Sequence, residues 1–282
     1  LPQGSPVPRL LRECQEQPTH LDSLLVGVCR TYSSDSRVTD SAAAVTALAC
    51  GIKTKNGMIG LDPLDQPAAN LLEGARARGL ATGLVATSRI THATPAGFAA
   101  HVPERAQEGE IAAQMLKHRV DVLLGGGRGF FLPADGGGKR ADGRDLLREA
   151  GDAGYQVLGS RADFLKPLRT PLLGLFHPDH MTLEIDRDPA KEPSLAEMTS
   201  AALTLLKQDP DGFFVMIEGS RIDHAEHDND AGATLREMRA FDDAVGEAVA
   251  FARRDRHTLV VVTADHETGG LAIGRRRVGQ SI

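Results

Sequence analysis

The chain has 282 residues, 41% of them hydrophobic, enough to bury the core of one large α/β domain. Its 32 basic and 38 acidic residues leave a net charge of -6 with no basic cluster, which argues against a nucleic-acid partner. No stretch reaches the roughly 18 apolar residues of a membrane span, so no anchor is visible; Cys14, Cys29 and Cys50 form neither a C-x-x-C pair nor a disulfide framework.

Residues 1–20 mix prolines, glycines and charges without a period and read as a poorly specified leader. From Leu21 short β-branched runs alternate with longer periodic segments, the pattern of a single α/β domain over 21–282. Both ends read as cut, since the chain opens on Leu1 and stops at Ile282, close behind Gly269-Gly270.

The first chemical signal is Val-Thr-Asp40-Ser41-Ala-Ala-Ala-Val-Thr-Ala-Leu-Ala-Cys-Gly51. Small helix formers follow the serine and a glycine closes the run, placing Ser41 at a helix N-terminus, where free N–H groups and the dipole favour an anion. Taken alone, the segment reads first as a simple N-cap by Thr39, Asp40 or Ser41, since Ser, Thr and Asp are the commonest caps.

A predicted strand, Gly83 to Thr87, leads into Thr91-His92-Ala-Thr94-Pro95, with His101 and Arg105 downstream. Thr94 offers a neutral oxygen for a hard cation, and Arg105 a planar fork matched to two phosphate oxygens. His101 reads as a packing or solvent residue. The next predicted strand, Val120 to Leu124, is followed by a glycine-rich stretch, Gly125 to Gly143, that reads as a long exposed loop. It is no nucleotide loop, because Gly136-Gly-Gly-Lys139 is followed by Arg140 rather than Ser or Thr.

Strands are predicted again at Gln156 to Leu158, Leu172 to Phe176 and Phe213 to Ile217. Between the last two, Ser194 and Glu197 form a capping box that opens a helix through about Gln208. Immediately after Ile217 comes Glu218-Gly-Ser-Arg-Ile-Asp223-His224-Ala-Glu226-His227. Asp223 and His227 are four apart and converge on one ion if the segment turns helically. Then Leu235, Met238, Phe241, Val245, Ala248 and Ala252 mark the apolar stripe of a long helix. A last predicted strand, Leu259 to Thr263, ends in Asp265-His266 and a Gly-Gly exit.

Taken together, VTDSAAAVTALACG, THATPAGFAAHVPER, VMIEGSRIDHAEH and VVVTADHETGG resemble the alkaline phosphatase family, with TYSSDSRVTDSAAA, PLLGLF and EIDRDP nearest in character to fungal vacuolar members. The resemblance implies a three-layer α/β/α sandwich around a mostly parallel sheet, and hydrolysis of phosphate monoesters through a phosphoserine on Ser41. It implies Arg105 as the phosphate clamp with Asp40 orienting it. Asp223 and His227 would be ligands of a first Zn2+, Asp265 and His266 of a second, and Thr94 and Glu218 of one Mg2+; His92 and His224 would sit just behind the metals. A homodimer and a vacuolar or extracellular location are implied as well.

The family also takes an upstream aspartate for the second zinc and the magnesium, and a distal histidine for the first zinc. No aspartate precedes Asp22 and no histidine follows His266. The expectation is loosely held zinc and little turnover for these 282 residues, recovered in a form extended at both ends. The competing reading is a non-catalytic remnant that keeps the fold without complete metal sites.

Overall fold

Five apolar runs become parallel strands in the computed structural model, which describes residues 18–270. They are β1 (Ala81–Arg89), β2 (Val122–Gly126), β3 (Gln156–Leu158), β4 (Leu172–Leu175) and β5 (Phe213–Glu218), in the order β3-β4-β2-β1-β5. The helices between them are α1 (Ser41–Cys50), α2 (Leu71–Ala77), α3 (Ala93–Gly97), α4 (Glu108–Lys117), α5 (Leu146–Asp152), α6 (Arg161–Phe164), α7 (Leu195–Leu206), α8 (Arg221–His227) and α9 (Ala231–Asp255). Among the described residues no helix is long and apolar enough to cross a membrane.

Successive side chains of a strand point to opposite faces, and the core divides accordingly. Leu84, Ala86, Leu123, Leu173 and Leu175 pack with residues of α1 through α5, including Val45, Leu72, Ile111, Met115 and Leu146. Val85, Val122, Leu124 and Leu172 face the other way, against Phe164 of α6, Met198 and Leu205 of α7, and Ala244 of α9. Helices thus cover both faces of a parallel sheet, the three-layer α/β/α arrangement. The capping box at Ser194 forms, with Ser194 accepting from the Glu197 N–H, and the long apolar stripe lies on α9.

Three expectations change. Leu259 to Thr263 is not a strand: it pairs with no strand among the described residues, and Leu259 and Val261 are 85% and 74% exposed. The run faces β5 across a cavity of about 1010 Å³ lined by Phe213 to Glu218 and by Leu259 to Asp265. Ladder pairing needs strands about 4.8 Å apart, and no ladder joins this run to β5. Gly125 to Gly143 is not one long exposed loop either. Its first two glycines belong to β2, Phe131 is fully buried, and Arg140 is buried while donating to the carbonyls of Gly109 and Phe130. The core claims the phenylalanine and the arginine spends its donors on backbone, which a glycine count does not reveal. Of the leader, residues 1–17 lie outside the described ones. Thr19 instead caps a 3-10 turn, His20–Ser23, in which the His20 and Leu21 N–H groups donate to Asp242 of α9 at 3.1 and 3.2 Å.

Candidate active site at the carboxyl ends of β1 and β5

β1 and β5 run side by side in register, Ala86 opposite Glu218, so the segments leaving their carboxyl ends share one crevice. Open α/β sheets bind ligands there. His92 and Thr94 follow β1; Glu218, Asp223 and His227 end β5 or follow it.

α1 brings the hydroxyl to that crevice. Its alanines favour helix, Asp40 caps it by accepting from the Ala43 N–H at 3.0 Å, and Gly51 closes it at φ +73°, where a side chain would be strained. The cap is therefore Asp40, which leaves the Ser41 hydroxyl free for chemistry. Gly97 of α3 lets the two helices meet, since a Cβ there would lie 2.5 Å from Val45 Cγ1.

Ser41 Oγ lies 2.8 Å from His266 Nε2. His266 Nδ1 faces the Glu267 carbonyl at 2.9 Å and donates to it, so in the neutral imidazole Nε2 accepts from the serine. The second oxygen of Asp40 accepts from the Gly57 N–H at 3.0 Å and from Arg105 Nη1 at 3.1 Å. Arg105 is fixed at its backbone as well, its N–H donating to the Gly57 carbonyl at 2.8 Å. Its Nη2 donates to His92 Nε2 at 3.1 Å. The guanidinium is thereby aimed across the crevice beside Ser41.

α8 turns as the spacing predicts, leaving Asp223 Oδ1 3.5 Å from His227 Nε2. Asp265 Oδ2 lies 3.2 Å from His266 Nε2, and Thr268 donates its hydroxyl to Asp223. Glu218 accepts from the Ser220 hydroxyl at 2.6 Å and from Thr94. Burial, reinforced by the Asp265 and Asp223 carboxylates, pushes its carboxyl up to about 7. Three carboxylates thus crowd one crevice, and one of them, Asp265, faces His266 Nε2. Such a set of facing acceptors is suited to cations and is costly without them.

One cavity of about 790 Å³ is lined by Asp40, Ser41, His92, Arg105, Asp223, His224, His227 and His266. Thr94, Glu218 and Asp265 line the neighbouring cavity together with Ser41, Asp223 and His266. All eleven residues singled out from the sequence therefore meet around two adjoining spaces. His101 does not: it packs away from them between the Gly60 carbonyl at 2.7 Å and Glu73 at 2.8 Å.

Two residues of the crevice were not singled out. Thr268, inside a recognised motif, holds Asp223. His180 stacks its ring against His92 and His224, with centroids 5.3 and 4.4 Å away. Its signal was present, because Phe-His-Pro-Asp-His180 follows the apolar run of β4 just as the other pairs follow theirs. Burial, with nearby Arg89, holds His180 down to about 3; burial, with Arg221, holds His224 at about 4. His92 is held well below its ordinary value by burial and then by Arg105.

Comparison with known proteins agrees with this geometry. The sequence profile of alkaline phosphatases matches residues 11–282. The repressible alkaline phosphatase of Saccharomyces cerevisiae is 46% identical over 91% of this chain and 50% of its own length. A cold-active alkaline phosphatase from a psychrophilic Shewanella superposes with a TM-score of 0.88 at 38% identity, covering 96% of this chain and 67% of that one. A variant of the TAB5 alkaline phosphatase with magnesium bound superposes at 0.80 with 36% identity, over 92% of this chain and 73% of that one. The chain spans about half the length of the curated relatives it matches. With the family profile spanning nearly all of the sequence and the same motifs gathered at one crevice, this chain belongs to the alkaline phosphatase family.

Proposed function

We propose that the chain carries the catalytic centre of a metal-dependent phosphomonoester hydrolase working through a phosphoserine on Ser41. The observation that carries this reading is the Ser41 hydroxyl at the first position of α1, 2.8 Å from His266 Nε2, with Arg105 braced by Asp40 on the same cavity. Ser41 Oγ attacks phosphorus, the ester P–O bond breaks and the alcohol leaves. Water then displaces the serine oxygen and releases inorganic phosphate. Arg105, held by Asp40 and His92, grips two non-bridging oxygens throughout. The α1 N-terminus adds positive potential where charge gathers.

The donor sets fit the ions the family implies. Asp223 with His227, and Asp265 with His266, offer the mixed oxygen and nitrogen donors of zinc; Thr94 and Glu218 offer the oxygens of magnesium. When bound, such ions activate an oxygen nucleophile and neutralise the leaving alkoxide. The residues themselves set the geometry, since phosphoryl transfer is mostly positioning and charge stabilisation. The assembled crevice favours this reading over a remnant that has lost its site. A homodimer and a vacuolar or extracellular address belong to the same proposal and rest on the resemblance alone.

The test is to quench the protein with acid during turnover of a labelled aryl phosphate. Label recovered on Ser41, and lost in Ser41→Ala with unchanged circular dichroism, is the expected result; label on any other residue overturns it.

A further inference from the structure

Outside the two carboxylate–histidine pairs, three imidazoles from three separate elements meet. His92 is the N-cap residue of α3, His180 follows β4 and His224 lies on α8. Their rings are mutually edge-on, at interplanar angles of 80°, 76° and 68°. One nitrogen from each ring lies within 4.8 Å of the others. Three donors around a zinc-class ion at about 2.0–2.1 Å stand roughly 3.4 Å apart, so modest ring rotations close the set.

We propose that His92, His180 and His224 form a further site for one borderline transition cation, of the zinc, cobalt or nickel class. A set of imidazole donors alone selects such ions over magnesium or calcium, which require oxygen. Three protein donors also leave a coordination position open to water or an anion. The site shares no donor with Asp223, His227, Asp265 or His266, and it stands whether or not Ser41 is the nucleophile.

Three N–H groups already occupy lone pairs of these rings. Arg105 Nη2 donates to His92 Nε2, Arg221 Nη1 to His224 Nδ1 at 2.8 Å, and the Arg89 backbone N–H to His180 Nδ1 at 3.2 Å. Arg89 has its charge matched by Glu108 and Asp179, and Arg105 by Asp40, so two of the three guanidinium groups are neutralised in place. An ion must displace the arginine donors or draw on the opposite ring nitrogens. The arginines are therefore its competitors, and this fixes the sign of a test: removing Arg105 strengthens ion binding, while removing His180 destroys it.

The experiment uses the whole chain carrying His227→Ala and His266→Ala, which break both carboxylate–histidine pairs. Cobalt is titrated into metal-stripped protein and read by its visible absorption and by metal per chain. One equivalent remains if the triad binds. Adding His180→Ala weakens it at least roughly a hundredfold, since deleting a ligand exceeds the 10–100-fold cost of losing a ligand's support. Adding Arg105→Ala instead tightens it about fivefold, the scale of one like charge removed a few ångströms away. No bound cobalt in the double variant, or equal affinity with and without His180, overturns the proposal. A mutation-free reading guards against misfolding: imidazole nitrogen resonances of His180 in the unaltered chain shift on adding zinc, and unmoved resonances at saturation overturn the proposal equally.

Discussion

Two apolar runs end in a carboxylate–imidazole pair, yet they are held in opposite ways. Phe213–Glu218 is a strand in six-residue register with β1, and α8 then turns Asp223 and His227 onto one side. Leu259 to Thr263 has no such ladder; its tip is anchored instead, through buried Ala264, His266 on Ser41 and Thr268 on Asp223. The first pair is placed by backbone hydrogen bonds. The second is placed by the side chains of the crevice it serves, so substitutions there act on position and chemistry together.

The largest effect separates the pairs. His266→Ala removes the one nitrogen, Nε2, that holds Ser41 and would hold an ion in its place, and activity, read in a form extended at both ends, is expected to fall by more than about a thousandfold, as for groups acting as a unit in catalysis. His227→Ala, on the ladder-supported side, costs less. Equal losses in steady-state rates would erase the distinction.

Arg105 belongs to neither region and is held by Asp40 and His92 over the crevice that both regions line. Arg105→Ala gives up charge-assisted hydrogen bonds to phosphate worth about 1.5–3 kcal/mol each, so inhibition by inorganic phosphate should weaken by roughly 10–100-fold. The turnover number should change less, because the fork grips oxygens present before and during transfer. Unchanged phosphate inhibition would remove Arg105 from the clamp.

A gentler change probes the tether. Thr268→Val keeps the shape but deletes the hydroxyl that Asp223 accepts, and the outer-shell scale predicts about tenfold weaker zinc binding. Amide exchange over 264–268 should quicken in the same variant. If zinc affinity and exchange both stay put, the tip is held by something else.

The smallest effect on activity belongs to Glu237 of α9, the helix joining the two regions. Burial, against the Glu184 N–H that donates to it at 2.6 Å, pushes its carboxyl from an ordinary 4.5 up to about 7. The native chain holds this proton where the unfolded chain has lost it. The stability it contributes is complete below pH 4.5 and is lost as pH rises through 7. Glu237→Gln keeps the acceptor oxygen and should flatten that decline, gaining on the order of 1–3 kcal/mol at pH 8. Denaturant midpoints of the two proteins at pH 5 and pH 8 decide it; parallel pH dependence would exclude Glu237 as the source.

The mostly parallel three-layer sheet was implied by the family resemblance; sequence by itself determined the alternation of strands with helices, the start of α1 at Ser41, the capping box at Ser194 and the turn that pairs Asp223 with His227. The latter features rest on local rules, periodicity, capping and spacing, that need no knowledge of distant neighbours. Tertiary structure alone decided that Leu259 to Thr263 has no ladder, because apolarity reports a wish for burial and not the presence of a partner. It alone buried Phe131 and Arg140 within a glycine-rich stretch. It alone brought His180 to within 5.3 Å of His92, ring to ring, across 88 positions of sequence, since strand order rather than spacing sets which loops share a crevice.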